Sequence, residues 1–418
     1  MKSLFTIREG SASHWALRIF AALVVVVLLF WIPTKGGNGL VTSATEALTL
    51  MSAAMALNLI LGYTGQISIG HSAFYGIGAY ATGICVSQYG WNPWLTFPMA
   101  FVVAFVVGVI VSFPASRITG VYLALVTLSL ALVFPNVLRW PKLEWLTGGG
   151  PGLPNKDSQV QTTGFDIGRK EGQMRHFEIF GWDPFGDLRG LGAIPFYYWI
   201  AAVVAMFVYL VCRGVVKSRA GRALVAVRDN ETAAAVMGVN VVATKAFAFG
   251  ISAGLCALPG SVTAIRIGSI SPDQATLTIL GSLTFLIIMV IGGAGSLWGP
   301  VLGAALYVLV TDRTGGWADD ETIPALLRPF FGWSKIPPGT GIFAVVLIAL
   351  MFVAPRGLAG VWKQYSPKVV RIVPRPVGMG AIADASARNA DPDAALVAAA
   401  VSTSGVHRTI QNNEGETE

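Results

Sequence analysis

Few residues in this chain have the chemistry of a functional site. Arg228, Asp229, Asn230 and Glu231 open the stretch RDNETAAAVMG (Arg228 to Gly238), where charges of both signs flank a good helix N-cap. A second group, Gln66, Ser68 and His71 in GQISIGH, offers an amide, a hydroxyl and an imidazole within six residues. Such groups can line a solute pathway, and His71 can equally be a satisfied interfacial histidine. Catalysis finds no support. The chain has no G-x-x-x-x-G-K-[ST] phosphate loop, so it is not expected to bind and hydrolyse ATP by that means. It also has no H-E-x-x-H, and no carboxylate pair on a predicted span. Cys85, Cys212 and Cys256 lie in or beside apolar runs without a C-x-x-C pair or a neighbouring histidine, which points away from disulfides and metal. No cofactor is expected on this chain.

The elements that must position these groups are helical. Asn230 is suited to N-cap a short helix, Asp229 and Glu231 complement its positive end, and Gly238 suits the residue just past its C-terminus. A helix of about two turns is marginal alone, because nucleation costs more than so few bonds return. Its Ala/Val/Met face therefore packs either on its own bundle or in a groove of a separate cytoplasmic protein.

That segment interrupts a chain made for lipid. Of 418 residues, 54% are hydrophobic and 12% charged, where a soluble domain is about a quarter charged. Apolar runs near the roughly 20 residues that a membrane helix needs recur throughout. The reading is an all-α polytopic transmembrane bundle of about ten spans, near Trp15–Pro33, Ser43–Gly62, Gln66–Ser87, Trp94–Phe113, Gly120–Leu138, Ile194–Arg213, Thr244–Ala264, Gln274–Gly292, Ser296–Asp312 and Thr340–Pro355. The first is read as a retained anchor rather than a cleaved signal. Gly250 with Gly254, and Gly295 with Gly299 and Gly303, recur every fourth residue and are read as close helix packing.

Lys and Arg favour cytoplasmic loops. Arg213, Lys217, Arg219, Arg222, Arg228 and Lys245 crowd one region, and Arg356, Lys363, Lys368, Arg371 and Arg375 follow the last span. Ten spans put both regions on the side of the N-terminus, so both termini are expected in the cytoplasm. The membrane domain is then 1–362, with a cytoplasmic loop at 213–243 and an extracytoplasmic loop at 139–193. In that outer loop seven basic residues are offset by seven acidic ones. Residues 363–418, rich in Pro, Ala, Ser and Asp, read as a disordered cytoplasmic tail. The net charge of +7 follows from the loops, and no aromatic-studded basic face points to nucleic acid.

Several stretches carry a family resemblance. GRALVAVRDNETAAAVMGVN, with Leu258-Pro259 after the next span begins, is similar to the cytoplasmic coupling loop of ABC importer permeases: Glu-Ala-Ala, a Gly a few residues on, then Leu-Pro. Thr232 interrupts the Glu-Ala-Ala here. LGYTGQISIGHSAFYGIGAY (Leu61–Tyr80), SRITGVYLALVTL (Ser116–Leu128) and IGGAGSLWGPVLGAAL (Ile291–Leu306) resemble the branched-chain amino acid ABC importer permeases of LivM type, and APRGLAG (Ala354–Gly360) resembles their ending. The resemblance runs from about Leu48 to Gly360. It implies a non-catalytic subunit that works with two cytoplasmic ATPases, a second homologous permease and an extracytoplasmic solute-binding protein, in a plasma or inner membrane. ATP would be used by the partners, and the solute would be an aliphatic amino acid or a related small molecule. By the same resemblance Arg222, Arg228, Asp229, Asn230, Glu231, Ala233, Ala234 and Gly238 would couple to the ATPases. An ion-coupled carrier acting alone is the competing reading. Proton coupling usually needs ionisable groups at mid-membrane, and Glu46 and Asp312 sit only at span edges.

Overall fold

The computed structural model describes residues 5–8, 27, 29–34, 37–116, 120–153, 193–319, 357–361 and 370–373. Two compact units are separable, Leu23–Tyr365 and the pair of terminal segments Met1–Ala22 and Ser366–Glu418. The first unit is helical. Its helices are α1 (Asn38–Thr64), α2 (His71–Tyr89), α3 (Pro93–Ser116), α4 (Val121–Leu138), α5 (Glu144–Thr147), α6 (Ala193–Lys217), α7 (Arg219–Asp229), α8 (Glu231–Val236), α9 (Val241–Ile267), α10 (Ile279–Gly292) and α11 (Gly299–Asp319).

Helix α1 is buried almost all round through its middle, from Ser52 to Ile60, and α9 is buried from Ala248 to Ile265. A helix apolar on every side belongs in a core or a bilayer. α3 and α6 instead bury one face and turn large apolar residues outward. Leu95, Val102, Val106, Ile110 and Phe113 on α3, with Val203, Phe207 and Leu210 on α6, are all exposed. In water such faces would associate, whereas in lipid they need no partner.

Small residues bring the helices together. Gly250 and Gly254 of α9 meet the Phe105 and Phe101 rings of α3, and Gly108 meets Ala253 in return. A Cβ on Gly78 would overlap the Ala257 backbone, and one on Gly260 the Tyr75 carbonyl, which brings α2 against α9 at backbone distance. Gly299 and Gly303 pack the start of α11 against the end of α10. Gly295 does not share their face: it precedes the helix, in the turn between α10 and α11, with φ of +72°. The expected stripe of three is thus two helical glycines and a turn glycine.

By length and composition four described helices can cross a membrane, at Asn38–Thr64, Pro93–Pro114, Phe196–Lys217 and Val241–Ile267. They become five if Tyr122–Leu138 and Pro141–Thr147, bent by 64°, form one span. Ile279–Gly292 and Gly299–Asp312 are shorter apolar helices. The count of about ten is therefore not reached among the described residues. The expected span at Thr340–Pro355 lies outside them, as does most of Trp15–Pro33. α2 is diluted by glycine, serine and tyrosine, and is held inside the bundle by its neighbours instead.

The terminal unit holds a short parallel ladder that the all-α reading did not anticipate. β1 (Phe5–Arg8) pairs with β2 (Val370–Val373), Phe5 opposite Val370 and Arg8 opposite Val373. Four residues of the expected tail are thus in a strand, and its other residues lie outside the described ones.

Candidate functional site

RDNETAAAVMG folds as a capped turn between two helices. Ser218 Oγ accepts from the Gly221 N–H and starts α7. Asn230 then leaves the helical region, with φ −162° and ψ 110°, and its Oδ1 accepts the Ala233 N–H at 2.9 Å to start α8. Gly238, at φ +85°, ends it: the Val239 N–H donates to the Ala234 carbonyl and the Gly238 N–H to the Ala235 carbonyl. This is the paired-bond stop that favours glycine past a C-cap. Asn240 Oδ1 accepts the Ala243 N–H and begins α9 after a short turn. Start and stop both fall where the sequence places them.

The side chains divide by direction. Gly221, Leu224, Val227 and Ala234 are buried, and Arg222 is exposed. Val236 and Met237, at 82% and 83% exposed, project from the end of α8 with none of the described residues over them. Arg228 and Glu231 reach back to the bundle while staying partly exposed. Arg228 Nη1 donates to the Gly62 carbonyl at 3.1 Å, while its Nε and Nη2 hold Asp229 at 3.0 Å. Glu231 pairs at 2.7 Å with Lys245, whose side chain is 3% exposed. An ammonium so buried needs its partner, since an uncompensated buried charge is costly. Arg228 thus fastens the segment to the end of α1, and Glu231 fastens it to α9.

Two of these anchors were not read from the sequence. Lys245 stands one residue inside the predicted span Thr244–Ala264, where a lysine calls for a partner. Asn58, near the end of an apolar span, is the other. Its Nδ2 donates to the Ser296 carbonyl and its Oδ1 accepts the Gly295 N–H, both at 2.9 Å. One amide therefore clamps the turn between α10 and α11 to α1, close to where Arg228 meets Gly62.

Gln66, Ser68 and His71 occupy the break between α1 and α2. Gly65, at φ +70°, reverses the chain, and the Gln66 N–H returns to the Ile60 carbonyl. His71 is fully buried, with Nδ1 3.0 Å from Ser68 Oγ and Nε2 2.8 Å from Ser252 Oγ. Ser252 gives its proton to the Ala56 carbonyl at 2.6 Å. It must then accept from His71 Nε2–H, while Nδ1 is engaged by Ser68. Both ring nitrogens are thus held by side chains of this protein. Of the three, Ser68 and His71 are brought together as structure. Gln66 stands apart, on the wall of a cleft beside Arg228 and Glu231.

Comparison with known proteins places this arrangement. The family model for the branched-chain amino acid transport system permease component matches residues 39–355. A relative from Escherichia coli, the high-affinity branched-chain amino acid transport system permease protein LivM, is 30% identical over 84% of this chain and 76% of its own. Its counterpart in Salmonella typhimurium is 29% identical over the same shares. More distant is the autoinducer 2 import system permease protein LsrC of Salmonella typhimurium, 24% identical over 72% of this chain and 80% of its own. No solved structure matches. On the family match across most of its length, the chain belongs to the branched-chain amino acid transport system permease family.

Proposed function

We propose that this protein is the membrane permease subunit of an ATP-driven importer, with α8 as the helix that seats on a separate cytoplasmic ATPase. One observation carries the reading: a fully capped short helix presents Val236 and Met237 to solvent while its charges hold it to the bundle. An apolar tip on a firmly rooted helix suits the groove mode of recognition. Motion of the ATPases would reach α1 through Arg228 and Gly62, and α9 through Glu231 and Lys245. Those two helices are the most buried spans, so a push on α8 acts on the centre of the bundle. ATP binding shifts such an equilibrium only through its different affinity for the two states.

Family organisation supports the remaining parts: two ATPase subunits, a second homologous permease, and a solute-binding protein on the outer side of an inner or plasma membrane. The relatives near 30% identity are named for branched-chain amino acids, which supports an aliphatic amino acid as solute. The β1–β2 pairing supports placing both ends of the chain on one side. A polar ladder cannot form across a hydrocarbon layer about 30 Å thick.

The test is gentle purification of the tagged protein from its native membrane, followed by identification of what accompanies it. Wild type is expected to bring ATPase subunits and a second permease, and a Val236→Asp/Met237→Asp variant to lose the ATPases while keeping the permease. Recovery of the protein alone in several mild detergents would instead favour a self-sufficient ion-coupled carrier. ATPases retained by the double variant would remove α8 from the contact.

A further inference from the structure

From residue 193 to residue 245 the chain carries six cations, Arg213, Lys217, Arg219, Arg222, Arg228 and Lys245, against two carboxylates, Asp229 and Glu231. Both carboxylates are taken, Asp229 by Arg228 and Glu231 by Lys245. Arg213, Lys217, Arg219 and Arg222 are left, all exposed and none paired with a carboxylate among the described residues. By contrast Arg139, just past α4, pairs with Asp273.

Their place on the fold says what faces them. The outward stripe of α6 runs through Val203, Met206, Phe207 and Leu210, all exposed, and continues at the same three- and four-residue spacing into Arg213 and Lys217. The spanning segment opens at Phe196. At about 1.5 Å per residue it has risen about 26 Å at Arg213 and about 32 Å at Lys217, against a hydrocarbon layer about 30 Å thick. The face that meets acyl chains thus reaches the headgroup layer at these two cations. Ser218 then caps a new helix, and Gly221 lies so close to the Val215 and Val216 carbonyls that a Cβ there would overlap them. α7 therefore starts against the last turn of α6, with Leu224 and Val227 buried and Arg219 and Arg222 on its exposed side.

We propose that Arg213, Lys217, Arg219 and Arg222 form a docking site for the headgroup of an anionic phospholipid, in the leaflet where α6 ends. Phosphodiester oxygens accept from the guanidinium forks, whose planar geometry suits two-oxygen recognition, and Lys217 adds a point charge. The acyl chains lie along Leu210, Phe207 and Val203. One continuous face therefore holds both parts of the molecule, which favours a lipid over a soluble acidic partner that would meet the cations alone. Occupancy fixes the depth of the turn between α6 and α7, and with it the root of α8.

The test is native mass spectrometry of the purified full-length chain in a neutral detergent, titrated with phosphatidylglycerol or with phosphatidylcholine. Phosphatidylglycerol is expected to bind at least about fivefold more tightly, the gain typical of a single cation near an anionic surface. Arg213→Gln/Lys217→Gln removes two exposed, unpaired charges, so it is expected to keep its Tm and to lose most of that preference. Arg219→Gln/Arg222→Gln is expected to weaken it in the same direction. Lys142→Gln, which removes an exposed cation from the turn after α4, is expected to leave it unchanged. Equal binding of the two lipids by wild type, or a preference that Arg213→Gln/Lys217→Gln retains in full, would overturn the proposal. Displacement of the lipid by millimolar inorganic phosphate would also overturn it and assign the cations to free phosphate. Loss of co-purifying proteins from Arg213→Gln/Lys217→Gln with phosphatidylglycerol binding intact would assign them to a protein partner instead.

Discussion

Asn58 and Gln66 are amides at neighbouring turns of the same region, one bonded at both ends and one at neither. The difference is positional: Asn58 meets a backbone that turns toward it, and Gln66 meets a cleft. Asn58→Leu keeps the size but orphans the Gly295 N–H and the Ser296 carbonyl. A loss of roughly 2–4 kcal/mol is expected from two unmade bonds, read as a lower Tm in detergent, and an unchanged Tm would show that the clamp is dispensable. Glu231 is similar in kind. Charge reversal there looks like a test of docking when only the sequence is considered, but the structure makes it a test of the bundle, because Lys245 would face an arginine. Glu231→Arg is expected to destabilise the protein, by more than the roughly 1 kcal/mol typical of an exposed pair and less than the roughly 3–5 kcal/mol of a buried one, read as a lower Tm. A variant as stable as wild type would mean that Lys245 finds another partner.

Among the elements, α8 is the one whose limits were legible residue by residue. Asn230, Gly238 and Asn240 each act through their own backbone or that of residues three or four away, so local sequence suffices. Asn230→Ala is expected to cost about 1 kcal/mol of local helix stability and to speed hydrogen exchange at Ala233 to Met237 while leaving α9 protected. Unchanged exchange would mean that packing of Ala234, and not the cap, holds the helix. The glycines around 295 were less legible. A repeat of four suits one helix face, yet Gly295 adopts a positive φ in a turn, because Asn58, 237 residues away, holds its N–H.

For the whole molecule, membrane residence follows from composition, since 12% charged residues cannot cover a water-exposed surface of this size. The pairing of β1 with β2 was not visible, because each is four residues long and they stand at opposite ends of the chain. It carries a prediction about topology. Cysteines placed singly at Thr6 and Arg371, in a background with Cys85, Cys212 and Cys256 replaced, are expected to react with a membrane-impermeant maleimide only in inside-out vesicles. Labelling of one site from each side would rule out the pairing and an even number of spans.

By itself the amino-acid sequence determined that the chain lives in lipid, that it lacks an ATP-hydrolysing loop, and that a capped helix sits between Asn230 and Gly238. These depend on composition and on contacts within a few residues. Only the tertiary structure decided which way the charges of that helix point, that His71 is saturated, and that Gln66 is left open. Those outcomes depend on Gly62, Lys245, Ser252 and Ala56 arriving from other helices, and no local pattern encodes what a distant helix will present.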